Sequence, residues 1–342
     1  MRGSTARILP RTALIHRGIL GFGLHWEEMI SPVKMIVVDI DGTLLSSPGT
    51  AVSRRNGRAL QEAEAAGIEI VIATGRRQAY ATPLIDPLGL KPETILITSN
   101  GTVTRTIAGE RINRFVLSVE TARALCPILR PLGTTVFTFD HDGPGELVLE
   151  SIEALNSRVS LWVEANRSSI REVRPLERAF DEGETPVQGM VCGAVEEMRR
   201  AEEGLAESEL SALVEMHRTE YPSRDLTILD ILPPGCSKGA ALRRLANQRG
   251  LALEDIMTIG DNWNDLEMLE FAGRAVVVAN GAPDLVDLAG RCGWEIAAAS
   301  DEDGVAQVIE NLLESQARLV VRGEPGIEAN TTTVTGYGLT GN

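Results

Sequence analysis

The chain has 342 residues, of which 43% are hydrophobic, and 48 Asp and Glu against 33 Lys and Arg give a formal charge of −15. This negative charge disfavours nucleic acid and anionic membranes as partners, and the length predicts two domains rather than one ordinary core. The four cysteines form no Cys-x-x-Cys pair, which disfavours a zinc or disulfide framework and favours reduced thiols in the cytoplasm.

Residues 1–33 precede the first regular pattern and contain six Arg or His residues. A short apolar run at 19–24 raises the possibility of a targeting segment, but no small-residue cleavage site follows it. We therefore interpret these residues as an upstream extension or a misplaced start, with Met29 or Met35 as alternative first residues.

Two aspartates follow a short β-branched run at 35–38, which is typical of a buried strand in a parallel sheet. Side chains two residues apart on a strand point to the same side, so Asp39 and Asp41 emerge together at the carboxyl end, where open α/β sheets bind ligands. One acid can attack phosphorus while the other protonates the leaving oxygen, if a divalent cation or a retained proton relieves their repulsion. A β-turn or a loop calcium site is the alternative for this tetrapeptide alone.

A second apolar run, at 70–73, ends in Thr74, Gly75 and Arg76. The threonine hydroxyl can donate to a phosphoryl oxygen, and the next N–H groups lie at the start of a helix, where anions are favoured. A plain strand-to-turn junction is the alternative. A predicted strand at 94–98 then leads to Asn100 and Gly101, which either face the substrate or form an ordinary turn.

Strand and helix patterns alternate between residues 107 and 225. They include predicted strands at 136–139, 146–150 and 189–194 and a charged helix at 195–207. The apolar run at 226–232 is predicted to return the chain to the first sheet. This arrangement predicts an α/β segment inserted into the first domain.

Two further motifs follow the insertion. Ser-Lys-Gly at 237–239 predicts a helix that begins at Lys238, with an N-cap and a solvated lysine as the alternative. Gly-Asp-Asn-Trp-Asn-Asp at 260–265 follows an apolar strand, and its oxygen donors suit a hard cation such as magnesium. Residues 315–342 are rich in Gly and Thr and predict a mobile tail.

These motifs stand in the order found in the haloacid dehalogenase superfamily, and residues 34–314 resemble its Cof-type phosphatases. The resemblance implies an α/β fold with a doubly wound, mostly parallel sheet and an inserted α/β cap domain. It divides the chain into an extension at 1–33, a catalytic core at 34–106 and 226–314, a cap at 107–225 and a tail at 315–342.

The resemblance also implies the role of each motif. Asp39 is the nucleophile that becomes phosphorylated, Asp41 is the general acid and base, and Thr74 and Lys238 complete the catalytic set. Magnesium is held by Asp39, by the backbone carbonyl of Asp41 and by Asp261, with Asp265 either a ligand or a neighbour of the ligands. The residues assigned to the phosphate or substrate are Gly42, Thr43, Thr74, Gly75, Arg76, Lys238 and Asn264.

The implied reaction is magnesium-dependent hydrolysis of a small phosphorylated metabolite, such as a sugar phosphate, by a monomer or small homo-oligomer. A phosphomutase on the same fold, or a phosphatase dedicated to one metabolite, is an alternative that keeps the motifs. A non-catalytic phosphate-binding protein is another, although the intact acids and lysine argue against it. The fold does not choose among these substrates.

Overall fold

The computed structural model of the protein describes residues 32–45, 51–155 and 159–323. The strands in these ranges form two sheets. In chain order the strands are β1 (Met35–Val38), β2 (Glu69–Ala73), β3 (Ile95–Thr98), β4 (Val103–Thr106), β5 (Arg111–Arg114), β6 (Val136–Thr138), β7 (Leu147–Leu149), β8 (Ile170–Glu172), β9 (Gln188–Gly193), β10 (Glu215–Tyr221), β11 (Leu226–Leu232), β12 (Ile256–Gly260), β13 (Arg274–Val278) and β14 (Glu295–Ala297).

The first sheet has eight strands in the order β14-β13-β12-β1-β2-β3-β4-β5. The strands from β14 to β3 are parallel, and β4 and β5 continue the sheet as antiparallel strands. The strand order changes direction at β1, which has β2 on one side and β12 on the other. Such a switch point opens a crevice at the carboxyl ends of the strands.

Helices cover both faces of this sheet, as a mostly parallel sheet requires. One face packs against the first and last helices and the other against the helix after β11. The helices are α1 (Arg54–Ala65), α2 (Gln78–Ile85), α3 (Val119–Leu129), α4 (Ser160–Asn166), α5 (Val195–Ala206), α6 (Lys238–Arg249), α7 (Leu266–Phe271), α8 (Pro283–Cys292) and α9 (Gly304–Gly323). These elements confirm the predicted doubly wound α/β fold class.

The second sheet has six strands in the order β10-β11-β9-β6-β7-β8 and is antiparallel except between β7 and β8. Its apolar face packs against α3 and α5 in a separate cluster of buried side chains. None of the helices in the described ranges is long and apolar enough to cross a membrane.

Several predicted boundaries differ from the structure. Residues 226–232 form β11 in the second sheet, not a strand that rejoins the first, because an apolar run predicts a buried strand without identifying its neighbours. Residues 111–114 extend the first sheet, although they were assigned to the insertion. Val33 is buried in the core, so the predicted extension ends too late.

The predicted tail is also too long. Helix α9 continues to Gly323, so residues 315–323 are helical because they extend an amphipathic helix that begins at Gly304. The rest of the predicted tail, and the hypothesis of an alternative start at Met29, lie outside the described residues.

Candidate active site

The predicted catalytic motifs meet at the carboxyl ends of three neighbouring strands. Asp39 follows β1, Asp261 follows β12 and Thr74 follows β2. The parallel register pairs Val38 of β1 with Ile259 of β12 and with Ile72 of β2, so the three polar residues leave the sheet at similar heights. This is the crevice that the switch point creates.

A buried lysine joins the acids in this crevice. The Lys238 ammonium donates to Oδ1 of Asp39 at 2.6 Å and to Oδ1 of Asp265 at 2.7 Å. Lys238 is the first residue of α6 and is only 1% exposed, which rules out the solvated lysine considered as an alternative. The Ser237 hydroxyl caps this helix by accepting from the Ala240 N–H at 2.8 Å.

Two carboxylates contact this ammonium group, and a third lies close to them. Asp39, Asp261 and Asp265 can each offer an oxygen within 4.8 Å of the others. Burial raises the pKa of Asp39 to about 7, with Lys238 opposing and Asp265 reinforcing the rise. Burial and the charges of Asp39 and Asp265 also raise the pKa of Asp261 well above its usual value. The excess negative charge and the all-oxygen donors fit a divalent cation.

The turn after β1 fixes the position of Asp261. Gly42 has a φ of +84°, and a Cβ at this position would collide with the Asp261 carboxylate. The Thr43 hydroxyl donates to Oδ1 of Asp261 at 2.9 Å, and Asn280 donates to the Gly42 carbonyl at 2.8 Å. Gly42 and Thr43, predicted as phosphate-binding residues, thus contact a predicted metal ligand in this structure. Asn280 was not singled out as a site residue.

Arg76 forms a two-pronged ion pair with Asp41. Its Nε donates to Oδ2 at 2.7 Å and its Nη2 donates to Oδ1 at 2.5 Å, while its guanidinium lies 4.2 Å from the centre of the Tyr80 ring. Arg76 was predicted to bind the substrate, and here its donors are directed at Asp41. The backbone N–H of Arg76 also donates to the Thr74 hydroxyl at 3.1 Å, so the second motif positions the candidate acid/base residue.

Asp265 uses both carboxylate oxygens within the protein. Its Oδ1 accepts from Lys238, and its Oδ2 accepts from the backbone N–H groups of Asp261 at 3.0 Å and Asn262 at 3.2 Å. The carboxylate therefore orders the loop and orients the lysine. These contacts favour the second alternative for Asp265, in which it lies beside the metal ligands.

A second buried carboxyl group was missed by the sequence analysis. Asp230 of β11 accepts from Gln188 and, at 2.8 Å, from the Asn100 amide. Asn100 in turn accepts from the Asn264 amide at 3.0 Å, and Gly75 leaves space for the Asn100 side chain. Burial raises the pKa of Asp230 to about 7, and the two amide donors oppose this rise. The only sequence signal was a single charged residue within an apolar strand.

The arginine next to Arg76 instead contacts residues that flank strands of the second sheet. Arg77 donates to Glu146, to Asn166 at 2.6 Å and to Ser169 at 3.1 Å. Burial raises the pKa of Glu146 to about 7, although the positive charge of Arg77 opposes this change. Two adjacent arginines thus connect the second motif to two different parts of the molecule.

Comparison with known proteins agrees with this geometry. The family model of haloacid dehalogenase-like hydrolases matches residues 36–309. The 5-amino-6-(5-phospho-D-ribitylamino)uracil phosphatase of Bacillus subtilis (strain 168) is 29% identical over 302 residues, which cover 83% of this chain and 99% of that protein. An HMP-PP phosphatase of Enterobacter sp. (strain 638) is 27% identical over 255 residues, covering 74% and 86% of the two chains.

Solved structures share the fold. A haloacid dehalogenase-like hydrolase from Bacteroides thetaiotaomicron superposes with a TM-score of 0.66 at 27% identity, over 82% of this chain and 99% of that one. SMU.1108c from Streptococcus mutans UA159 has a TM-score of 0.69 at 20% identity, over 82% and 99%. The family match spans both sheets and all four motifs, and it confirms the resemblance: the chain belongs to the haloacid dehalogenase-like hydrolases.

Proposed function

We propose that the protein is a magnesium-dependent phosphatase that hydrolyses a small phosphorylated metabolite through an aspartyl phosphate on Asp39. The observation that carries this proposal is the buried Asp39 carboxylate, which Lys238 contacts at 2.6 Å within an acidic cluster that the lysine cannot neutralise alone. The names of the relatives from Bacillus subtilis and Enterobacter support phosphatase activity.

In the first step, an Asp39 oxygen attacks phosphorus and the bond between phosphorus and the ester oxygen breaks. Asp41 gives its proton to the leaving oxygen, while Lys238 stabilises the negative charge that develops on the phosphoryl group. Arg76 fixes the position of the Asp41 carboxyl group through its two hydrogen bonds. Thr74 follows the neighbouring strand β2, and in this proposal its hydroxyl donates to a phosphoryl oxygen.

In the second step, water attacks the aspartyl phosphate, Asp41 accepts a proton from that water, and inorganic phosphate leaves Asp39. Arg76 holds the Asp41 carboxyl group in place for this step through the same two hydrogen bonds. Magnesium held by Asp39, Asp261 and the Asp41 backbone carbonyl would supply positive charge that offsets the carboxylates and the phosphoryl oxygens.

The second sheet and helices α3 to α5 form, in this proposal, a cap that excludes water and selects the substrate. The assignment of β11 to the second sheet supports a cap that extends to Leu232 rather than to residue 225. The proposal includes a cytoplasmic location and a monomer or small homo-oligomer. The cysteines at 126, 192, 236 and 292 are thiols rather than disulfides, which supports the location because reduced thiols are usual there.

The test is phosphate release from a broad panel of phosphate esters, with and without magnesium. We expect magnesium-dependent turnover by the wild type and a loss of at least about 1,000-fold in Asp39→Asn, because the amide is a poor nucleophile. Asp230→Asn is the matched control, since Asp230 is equally buried, and it should keep turnover within about fivefold.

The other outcomes separate the alternatives. Full turnover by Asp39→Asn would contradict the nucleophile assignment. A strict requirement for a bisphosphate activator would identify a mutase, and binding of phosphate esters without turnover of any of them would identify a phosphate-binding protein.

A further inference from the structure

One side chain of the acidic loop contacts the edge strand of the second sheet. The Asn262 side chain accepts from the Glu220 N–H at 3.0 Å and donates to the Glu220 carbonyl at 2.9 Å. Both residues are buried, with 4% of each exposed. The two bonds reproduce the exchange of N–H and carbonyl bonds between paired strands. The Asn262 amide therefore takes the place of a neighbouring strand at this point of β10.

A second contact between the acidic loop and β10 lies next to the first. The Arg218 guanidinium lies 5.3 Å from the centre of the Trp263 ring, which follows Asn262 in the loop. Arg218 also donates to Glu202 of α5 at 2.6 Å, so the arginine is restrained from the other side. Two consecutive residues of the loop therefore contact the same edge strand.

The same loop carries a candidate magnesium ligand, because Asn262 directly follows Asp261. The backbone N–H groups of these two residues donate to Oδ2 of Asp265 at 3.0 and 3.2 Å, and the Thr43 hydroxyl donates to the Asp261 carboxylate at 2.9 Å. These contacts come from residues that flank strands of the first sheet. The Asn262 side chain adds a restraint from the second sheet, so a displacement of β10 acts on the backbone next to Asp261.

Two arrangements of the loop follow from this contact. When β10 is docked, the backbone after Asp261 is held from both sheets. When β10 separates from the loop, the Asn262 amide and both backbone groups of Glu220 lose their partners, and the loop loses one restraint. An ion that binds the restrained loop more tightly favours docking, and docking favours the ion by the same factor.

We propose that Asn262 is a positioning residue that couples magnesium binding at Asp261 to the docking of β10 on the acidic loop. The second sheet thereby influences whether the metal site is fully ordered. This inference rests on the magnesium dependence in the proposed function and adds a link between the metal site and the cap. Asn262 acts through the backbone that carries Asp261, not through a contact with substrate.

The test is the magnesium affinity of Asn262→Ala, measured by titration calorimetry with magnesium chloride. We expect the dissociation constant to rise about tenfold, the usual order for coupled sites and for residues that support metal ligands. At saturating magnesium, kcat should stay within about threefold of the wild type, because the catalytic side chains are unchanged. A higher magnesium requirement with a nearly normal kcat distinguishes positioning of the metal site from general damage.

Asn166→Ala is the matched control for the loss of a buried amide. Asn166 is 1% exposed and accepts from Arg77 at 2.6 Å, so it also connects the second sheet's helices to a residue that follows β2. It contacts Arg77 rather than the acidic loop. This variant should keep the magnesium dissociation constant within about twofold of the wild type, because sites without shared partners act independently.

Asn262→Ser separates the contact with β10 from a local one. Oδ1 of Asn262 also accepts from the Trp263 N–H at 2.9 Å, and serine is a good residue for such a capping position. One hydroxyl cannot replace both bonds to Glu220 as well. We therefore expect Asn262→Ser to lose as much magnesium affinity as Asn262→Ala.

Hydrogen exchange gives a readout that is independent of activity. Because coupling is reciprocal, magnesium should slow exchange of the Glu220 N–H in the wild type, by up to about tenfold. This measurement keeps the inference testable even if Asn262→Ala does not fold. In Asn262→Ser, the Glu220 N–H should exchange at the same rate with and without magnesium.

Four results would each overturn the inference while leaving the proposed function intact. They are an unchanged dissociation constant in Asn262→Ala, wild-type affinity in Asn262→Ser, an equal rise in Asn166→Ala, and Glu220 N–H exchange that magnesium does not slow in the wild type. A wild type that neither binds magnesium nor needs it for phosphate release overturns the magnesium dependence of the proposed function, and this inference with it.

Discussion

Two of the buried carboxyl regions among the described residues share a pKa raised to about 7 and differ in charge balance. Around Asp39, three carboxylates contact or surround one ammonium group, and burial raises the pKa of Asp39 to about 7. Around Asp230, one carboxyl group accepts from two amides, and burial raises its pKa to about 7 as well. Desolvation alone therefore does not distinguish the proposed nucleophile from a buried carboxyl group that has no proposed catalytic role.

The partners make the difference. Amide donors satisfy the oxygens of Asp230 without adding charge, so a protonated or singly charged carboxyl group is stable there. When its carboxyl groups are ionised, the Asp39 region carries more negative charge than its own lysine can balance, which is costly in a buried site unless a cation binds. An acidic excess, rather than a shifted pKa, is thus the observation that indicates function.

Removal of the Lys238 ammonium group should give the largest difference in effect between the Asp39 region and the Asp230 region. Lys238→Met keeps the length of the side chain and leaves three carboxylates without an ammonium partner. We expect phosphate release at pH 7 to fall about 100- to 1,000-fold, because the phosphoryl group and Asp39 lose their buried positive charge. The matched control is Arg243→Met on the exposed face of the same helix, which should keep normal turnover.

The same variant has a second expected signature. With the ammonium gone, the acidic cluster attracts cations more strongly, so magnesium should stabilise Lys238→Met against unfolding more than it stabilises the wild type. Normal turnover by Lys238→Met would show that catalysis does not require the positive charge of this lysine.

Magnesium should stabilise the folded protein through the Asp39 region and not through the Asp230 region. At 100 times its dissociation constant, a ligand of the folded state raises the free energy of unfolding by about 2.7 kcal/mol. We expect a rise of this order for the wild type and for Asp230→Asn in thermal unfolding with increasing magnesium. Asp261→Asn should show a much smaller rise, because it removes a carboxylate ligand. An equal response of the two Asn variants would contradict the assignment of the metal site.

The sequence predicts features that depend on neighbouring residues better than contacts between residues far apart in the chain. The strand ends at Asp39 and Asp261 follow from local apolar patterns, and motif order then groups them with Lys238. The hydrogen bond between Asn100 and Asp230 joins residues 130 positions apart, and no sequence motif indicates it. The sheet to which β11 belongs was mispredicted for the same reason, since strand partners depend on contacts that are distant in sequence.

Arg76 shows a different limit. Its place next to Thr74 was predicted, but its partner was not, because a side chain as long as arginine can reach either a substrate or a neighbouring carboxylate. The structure directs it to Asp41, 35 positions away in sequence. Sequence patterns therefore located the site, while the assignment of donors to acceptors required coordinates.

The pH dependence of stability should reveal the Asp230 region. A carboxyl group whose pKa rises from 3.8 to about 7 on folding binds its proton more tightly in the folded state than in the unfolded chain. Its contribution therefore makes the free energy of unfolding fall as pH rises from about 4 to about 7, by at most about 1.4 kcal/mol per pH unit, and then level off.

Asp230→Asn should flatten this part of the profile, because the amide does not titrate and Gln188 can rotate its own amide to accept from it. The measurement is chemical denaturation of both proteins between pH 5 and pH 8 without added metal, and the difference between the two slopes isolates Asp230 from the other acids. Parallel profiles would mean that Asp230 stays ionised in the folded protein.

Asn100 gives the finest comparison, because its side chain contacts both regions: it donates to Asp230 and accepts from Asn264 in the acidic loop. Asn100 has a φ of +52°, so Asn100→Gly removes the side chain without backbone strain. We expect the free energy of unfolding to fall by about 1–3 kcal/mol, since two buried amide contacts are lost.

Phosphate release should change less than about fivefold, because Thr43 and Lys238 still hold Asp261 and Asp265. A larger loss of turnover, with magnesium stabilisation unchanged, would show that the Asp230 region also orders the acidic loop for catalysis.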